Sequence, residues 1–193
     1  MHAMDSRSTI LAAIRDNKPG PRPLPDLPAD PPERDLFVLE AAFRSVLEAG
    51  KATFISWEAL LELSGSPAFA TVASRVPGIE GNLEVDAEGD PLGLAGVDLA
   101  ILSAPIGVAE NGAMWVSERE AGHRILPFIT QHLVLVVSRS NLVATMHEAY
   151  RRTAVDDTGF GVFIAGPSKT ADIEQSLVIG AHGARSLRVC LTE

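Results

Sequence analysis

The sequence predicts an α/β protein with three layers: an open, mixed but mainly parallel sheet with helices on both faces. Three observations carry this expectation. Residues 133–137, Leu-Val-Leu-Val-Val, form an apolar run of the kind that makes a strand buried on both faces. Residues 160–191 read as strand, tight turn, helix and strand. Strand-like and helix-like stretches alternate through the second half, the pattern of a sheet covered by helices. The hairpin-like spacing of 98–117 makes the expected sheet mixed rather than purely parallel.

Taken in order, Asp5 to Asp16 has helical spacing, with Ile10, Leu11 and Ile14 as a stripe and Asp5, Ser6 or Ser8 as available caps. Such a stripe needs a partner, on the body or on another subunit. Pro19 to Pro32 carries seven prolines in fourteen residues, an extended arm or linker. The expected organisation is therefore an N-terminal helix and Pro-rich arm over 1–32 and an α/β domain over 33–193. Glu33 to Ala49 is an amphipathic helix with Leu36, Leu39, Phe43, Val46 and Leu47 inward, ended by Gly50. Ala52 to Ser56 is a short strand, Glu58 to Leu63 a helical turn, and Phe69 to Val76 a further helix. Pro77 to Gly96 reads as loops around one or two short strands. Asp98 to Ala104 and Ala113 to Ser117 are strands, and Ser140 or Asn141 caps a helix running to about Arg152, with Leu142, Val143, Met146 and Tyr150 on its inner face. Strands at Gly161 to Ala165 and Leu187 to Leu191 close the chain.

Composition narrows the function classes. A length of 193 residues suits one domain with an arm, and 46% hydrophobic residues supply a substantial core. A net charge of −9 without a basic cluster argues against nucleic acid and anionic membrane partners. No apolar run approaches the ~18 residues of a bilayer span, and Met1 to Lys18 lacks a signal-type apolar core. A cytoplasmic location without membrane insertion is expected. The single cysteine, Cys190, sits in an apolar strand and reads as a packed thiol. The histidines at 2, 123, 132, 147 and 182 have no metal-ligand spacing, so no metal site is expected.

Two constellations carry chemistry. In Ala165-Gly-Pro-Ser-Lys-Thr-Ala, Ser168, Thr170 and Asp172 each suit the cap of a helix starting near Ala171 and burying Ile173, Leu177 and Gly180. A helix N-terminus beside Lys169 at the carboxyl end of a strand favours an anion. Gly166, Ser168, Lys169 and Thr170 are thus either an anion-binding loop or simple helix capping. The spacing is not that of a Walker A loop. In Ile106-Gly-Val-Ala-Glu-Asn-Gly, Glu110 sits in a glycine-bounded turn after a strand. It is a candidate nucleophile or general base, Asn111 a candidate oxyanion donor, and Gly112 a point of close approach. A solvated turn explains the same residues. His182 is a helix C-cap or a site residue, and Arg119, His123 and Arg124 are within reach of an anionic ligand or line a surface loop.

Residues 163–183, Phe-Ile-Ala-Gly-Pro-Ser-Lys-Thr-Ala-Asp-Ile-Glu-Gln-Ser-Leu-Val-Ile-Gly-Ala-His-Gly, closely resemble the C-terminal signature of the LUD domain, the lactate utilisation protein C (LutC, YkgG) family. The Gly-Val-Ala-Glu-Asn-Gly segment resembles that family's central turn, with Asn111 where the family has Thr. The likeness runs over roughly residues 35–193. It implies a fold similar to the NagB/RpiA/CoA-transferase group. It also implies a part in oxidising L-lactate to pyruvate, with iron–sulfur clusters on LutA- and LutB-like partner proteins and no cofactor in this chain. By motif alone it marks Glu110, Gly166, Ser168, Lys169, Thr170, Asp172, Glu174 and His182. Glu110-Asn111-Gly112 is similar too to the Glu-Asn-Gly of some CoA transferases, whose glutamate attacks an acyl-CoA. The competing expectations are a stand-alone enzyme of that kind, acting on a CoA ester or sugar-phosphate-type molecule, and a non-catalytic scaffold subunit.

Overall fold

The computed structural model describes residues 5–23, 35–87, 89–153, 159–170 and 178–193. The elements run α1 (Ser6–Asp16), α2 (Leu36–Ala49), β1 (Thr53–Ile55), α3 (Trp57–Ser64), β2 (Val72–Ser74), β3 (Leu99–Ser103), β4 (Ile106–Val108), β5 (Met114–Ser117), α4 (Glu118–Ala121), α5 (Leu126–Ile129), β6 (His132–Ser138), β7 (Leu142–Val143), α6 (Met146–Arg152), β8 (Gly161–Ile164), β9 (Lys169–Thr170), β10 (Val178–Ile179) and β11 (Ser186–Thr192). Short 3₁₀ turns lie at Pro91–Leu94 and Arg139–Asn141.

The main sheet has the order β1-β11-β6-β3-β2 and every pairing in it is parallel. Its central strands are buried on both faces, as the apolar run at 133–137 predicts. Side chains alternate across a strand, and the core alternates with them. Ala100, Leu102, Leu133, Leu135, Leu187 and Val189 join one cluster with Phe43 and Leu47 of α2. Leu99, Ile101, Val134, Val136 and Cys190 join another with Leu60 of α3. Each face therefore has its own helix. Asp35 fixes the start of α2, its side chain accepting from Phe37 N at 2.8 Å, and Ser56 caps α3 the same way onto Ala59 N.

A second sheet, β7-β4-β5-β8, is mixed: β5 pairs antiparallel with β4 and β8, and β7 pairs parallel with β4. Met114 and Val116 of this sheet pack on the first cluster with α2. Its outer face, Ile106, Val108, Trp115 and Val143, packs with Ala149 and Met146 of α6. The mixed pairing expected of the sheet thus appears in this second sheet, while the main sheet is wholly parallel.

Several local expectations are corrected. Val72–Ser74 is a strand, not part of a helix, because it pairs with β3 and the Asn82 side chain satisfies Val72 N. The helix expected from Ser140 begins only at Met146, since Leu142–Val143 pairs with β4. Leu36 and Val46 on α2, and Tyr150 on α6, are exposed rather than inward. In α1 no residue is buried, and Ile10 and Ile14 are exposed. The Pro-rich stretch lies largely outside the described residues. No helix among the described residues is long and apolar enough to cross a membrane.

Candidate functional site

The loop after β8 is shaped by Gly166, whose φ of +98° suits glycine. A Cβ there would lie 2.9 Å from the Gly50 carbonyl oxygen at the end of α2. The loop then runs back along residues 180–184: Ser168 N donates to Ala184 O, and Gly180 N donates to Ser168 O, each at 2.9 Å. β9 and β10 pair antiparallel, Lys169 opposite Ile179 and Thr170 opposite Val178. The expected helix therefore does not extend over 178–180, and Thr170 belongs to a strand, where no helix N-terminus stands beside Lys169 among the described residues. Asp172 and Glu174 lie outside the described residues.

This folding brings Gly166, Ser168, Lys169 and His182 to one cleft of ≈ 320 Å³. Its remaining walls are mainly apolar, among them Phe128, Leu133, Val162 and Ala184. The cleft lies at the carboxyl end of β8, as expected, but against the amino ends of β6 and β11. The Lys169 side chain is exposed, and its Nζ would be 3.4 Å from a Cβ on Gly166 and 3.7 Å from one on Gly50. A cation there complements the C-terminal dipole of α2. No ion pair to Lys169 is found among the described residues. A lysine with its charge available above an apolar floor, next to a hydroxyl and an imidazole, suits a small carboxylate or phosphate-bearing molecule.

Glu110 lies in a different cleft of ≈ 490 Å³, with Ser45 and Val46 of α2 and Thr145. Its Oε2 accepts from Met146 N at 2.9 Å, so the carboxylate caps the first turn of α6. Asn111 Oδ1 accepts from Ala113 N at 3.0 Å, closing an Asx turn. Gly112 has a φ of +71°, and a Cβ on it would lie 2.8 Å from Leu47 Cγ. Both motifs therefore press on the C-terminal half of α2, one against Leu47 and one against Gly50, but they do not share a cleft. Arg124 pairs with Glu118 at 3.0 Å, and His123 Nδ1 accepts from Ile125 N at 3.2 Å; neither faces the Lys169 cleft. A larger cleft of ≈ 600 Å³, between Leu61 and Asn82, holds none of the predicted site residues. Asn82 there is committed to Val72 N and Ala70 O. Among the described residues no cluster suits a metal ion.

One histidine outside the motifs has a displaced proton affinity. Burial holds the His132 imidazole below its ordinary value of 6.5, the Arg188 and Arg185 charges add to this, and Asp98 opposes it. The native state then binds fewer protons than the unfolded chain, so this contribution is full above 6.5 and is lost as pH falls from 6.5 through the lower native value. The unfolding temperature of wild type should drop more steeply just below 6.5 than that of His132→Gln. Parallel curves for the two proteins would contradict this.

Comparison with known proteins gives a consistent set of relatives. Residues 92–192, over half of the chain, match the model of the LUD domain. A lactate utilization protein C of Deinococcus radiodurans is 27% identical over 202 residues, covering 96% of this chain and 93% of that protein. The lactate utilization protein C of Shouchella clausii is 34% identical over 99 residues, 48% of this chain and 42% of that protein. The match thus spans about two fifths of the length of that relative and of the Geobacillus thermodenitrificans one, at 42% and 38%. Among solved structures, a DUF162 family protein of Deinococcus radiodurans has a similar fold, with a TM-score of 0.60 at 18% identity, over 83% of this chain and 100% of that one.

Proposed function

We propose a role in lactate utilisation for this chain, which belongs to the LUD domain family. In this reading it is a LutC-like subunit that takes part in oxidising L-lactate to pyruvate with iron–sulfur partner proteins, and the Gly166–Lys169 cleft holds a small carboxylate. The observation that carries the reading is the convergence of Gly166, Ser168, Lys169 and His182, all drawn from one continuous motif, on one cleft. Lys169 supplies the charge, Ser168 and His182 supply hydrogen-bonding groups, and the apolar walls suit a short carbon chain. The redox centres lie on the partner chains.

Two experiments test this. Deleting the gene should abolish growth on L-lactate as sole carbon source, and the tagged full chain should restore growth and co-purify iron–sulfur proteins. Undiminished growth of the deletion strain would sink the proposal. The second concerns Glu110. A helix-capping Glu110 tolerates Glu110→Gln, whose amide oxygen still accepts from Met146 N, so complementation should be retained. Glu110→Ala should cost about 0.5–2 kcal/mol of stability, the usual loss for a removed cap. Loss of complementation in a folded Glu110→Gln protein would favour the CoA-transferase-like alternative.

A further inference from the structure

The parallel register places a second polar group at the amino ends of the main-sheet strands, on the face away from the Lys169 cleft. His132 and Leu133 are consecutive in β6 and point to opposite faces. Leu133 lines the Lys169 cleft. His132 instead meets the Phe69 ring at 5.3 Å between centroids, on the α3 side. Ser186 of β11 is in register with His132, and its Oγ lies 2.8 Å from His132 Nδ1. Two residues on, Arg188 shares that face and donates from a guanidinium nitrogen to the same Ser186 Oγ at 3.3 Å. Thr53 of β1 is in register with Arg188. The exposed Arg185 precedes this strand, close enough for its charge to act on His132.

The charge here is unusual for a chain of net −9. Arg188 reaches the His132–Ser186 pair, the charge of Arg185 also acts on the imidazole, and among the described residues neither arginine has a carboxylate partner. Asp98, whose charge opposes the arginines at His132, has its Oδ2 engaged by Ala70 N and Thr71 N, at 2.8 and 3.0 Å, and Glu58 of α3 acts on Cys190, two residues along from Arg188. A parallel sheet face is ordinarily covered by apolar packing; α3 covers Val134, Val136 and Cys190 farther along, while this end is lined by a hydroxyl, an imidazole and a guanidinium.

We propose that Arg188, Ser186 and His132, with Arg185 at the rim, form a second ligand site that takes a phosphate group. The two guanidinium charges match a dianion, the fork of Arg188 suits its oxygens, and the Ser186–His132 pair, which uses one hydrogen between its members, supplies one further donor. The proposal is independent of the lactate reading, because it uses none of the residues of the Lys169 cleft.

The test is a titration of inorganic phosphate into the full-length chain at constant ionic strength, followed through the His132 ring resonances by NMR. Their assignment comes from their disappearance in His132→Gln. A saturable shift is expected, with the His132 titration moved upward by the bound dianion. Arg188→Gln should weaken binding by about tenfold or more, since a hydrogen bond to a charged group contributes ~1.5–3 kcal/mol. Arg188→Lys should recover part of it, Arg185→Gln should weaken it from an exposed position, and Lys169→Ala should leave it unchanged. Acetate in place of phosphate should bind more weakly. A non-saturating drift, wild-type affinity retained in folded Arg188→Gln, or tighter binding of acetate than of phosphate would each overturn the proposal.

Discussion

Gly112→Ala should lower stability by roughly 2–5 kcal/mol. Two costs add. The φ of +71° is left-handed, where an L side chain loses roughly 1–2 kcal/mol. The new Cβ would also sit 2.8 Å from Leu47 Cγ, and Leu47 is 1% exposed in the packed first core, so it has little room to retreat. Overpacking of this kind costs about 1–3 kcal/mol. For a chain of this length each kcal/mol corresponds to roughly 2–4 °C of unfolding temperature. Gly96→Ala is the control: nothing lies within 4 Å of its Cβ, and the change should stay within about 0.5 kcal/mol. Equal unfolding temperatures for the two variants would show that α2 does not press on the central turn.

Lys169→Ala should separate function from stability. Removing the cation from the end of α2 costs about 0.3–1 kcal/mol. Removing the charged hydrogen bond to a bound carboxylate costs ~1.5–3 kcal/mol, about 10- to 150-fold in affinity. The variant should therefore fold almost normally and fail to support growth on L-lactate. A growth defect that tracks only the loss of folded protein would assign Lys169 to α2 alone.

Much of this was legible in the chain. The run at 133–137 announced a doubly buried central strand because an apolar residue at every position satisfies both faces at once. The helices ending at Ala49 and covering Glu58 to Leu63 were legible from their apolar spacing, while their caps at Asp35 and Ser56 emerged only in the structure. Failures came where partners lie far away in sequence. Val72–Ser74 is apolar enough for either a helix or a strand, and only β3 and Asn82 decide it. Leu142 and Val143 fit a helix continuing to Arg152, yet β4 draws them into a ladder. The motif 166–182 was recognisable as a unit, but the backbone bonds between Ser168 and residues 180 and 184, which bring His182 back beside Lys169, replace the expected helix end. The His132–Ser186 pair had no motif at all: 54 residues separate the two, and only the parallel register of β6 and β11 joins them.

The most direct measurement of the central claim is the binding of L-lactate and pyruvate to the full chain, together with whatever partner proteins co-purify, compared between wild type, Lys169→Ala and Glu110→Gln. Saturable binding in wild type and Glu110→Gln that is lost in Lys169→Ala is the predicted result. Binding that survives Lys169→Ala, or that disappears in Glu110→Gln instead, would contradict the assignment of the ligand to the Gly166–Lys169 cleft.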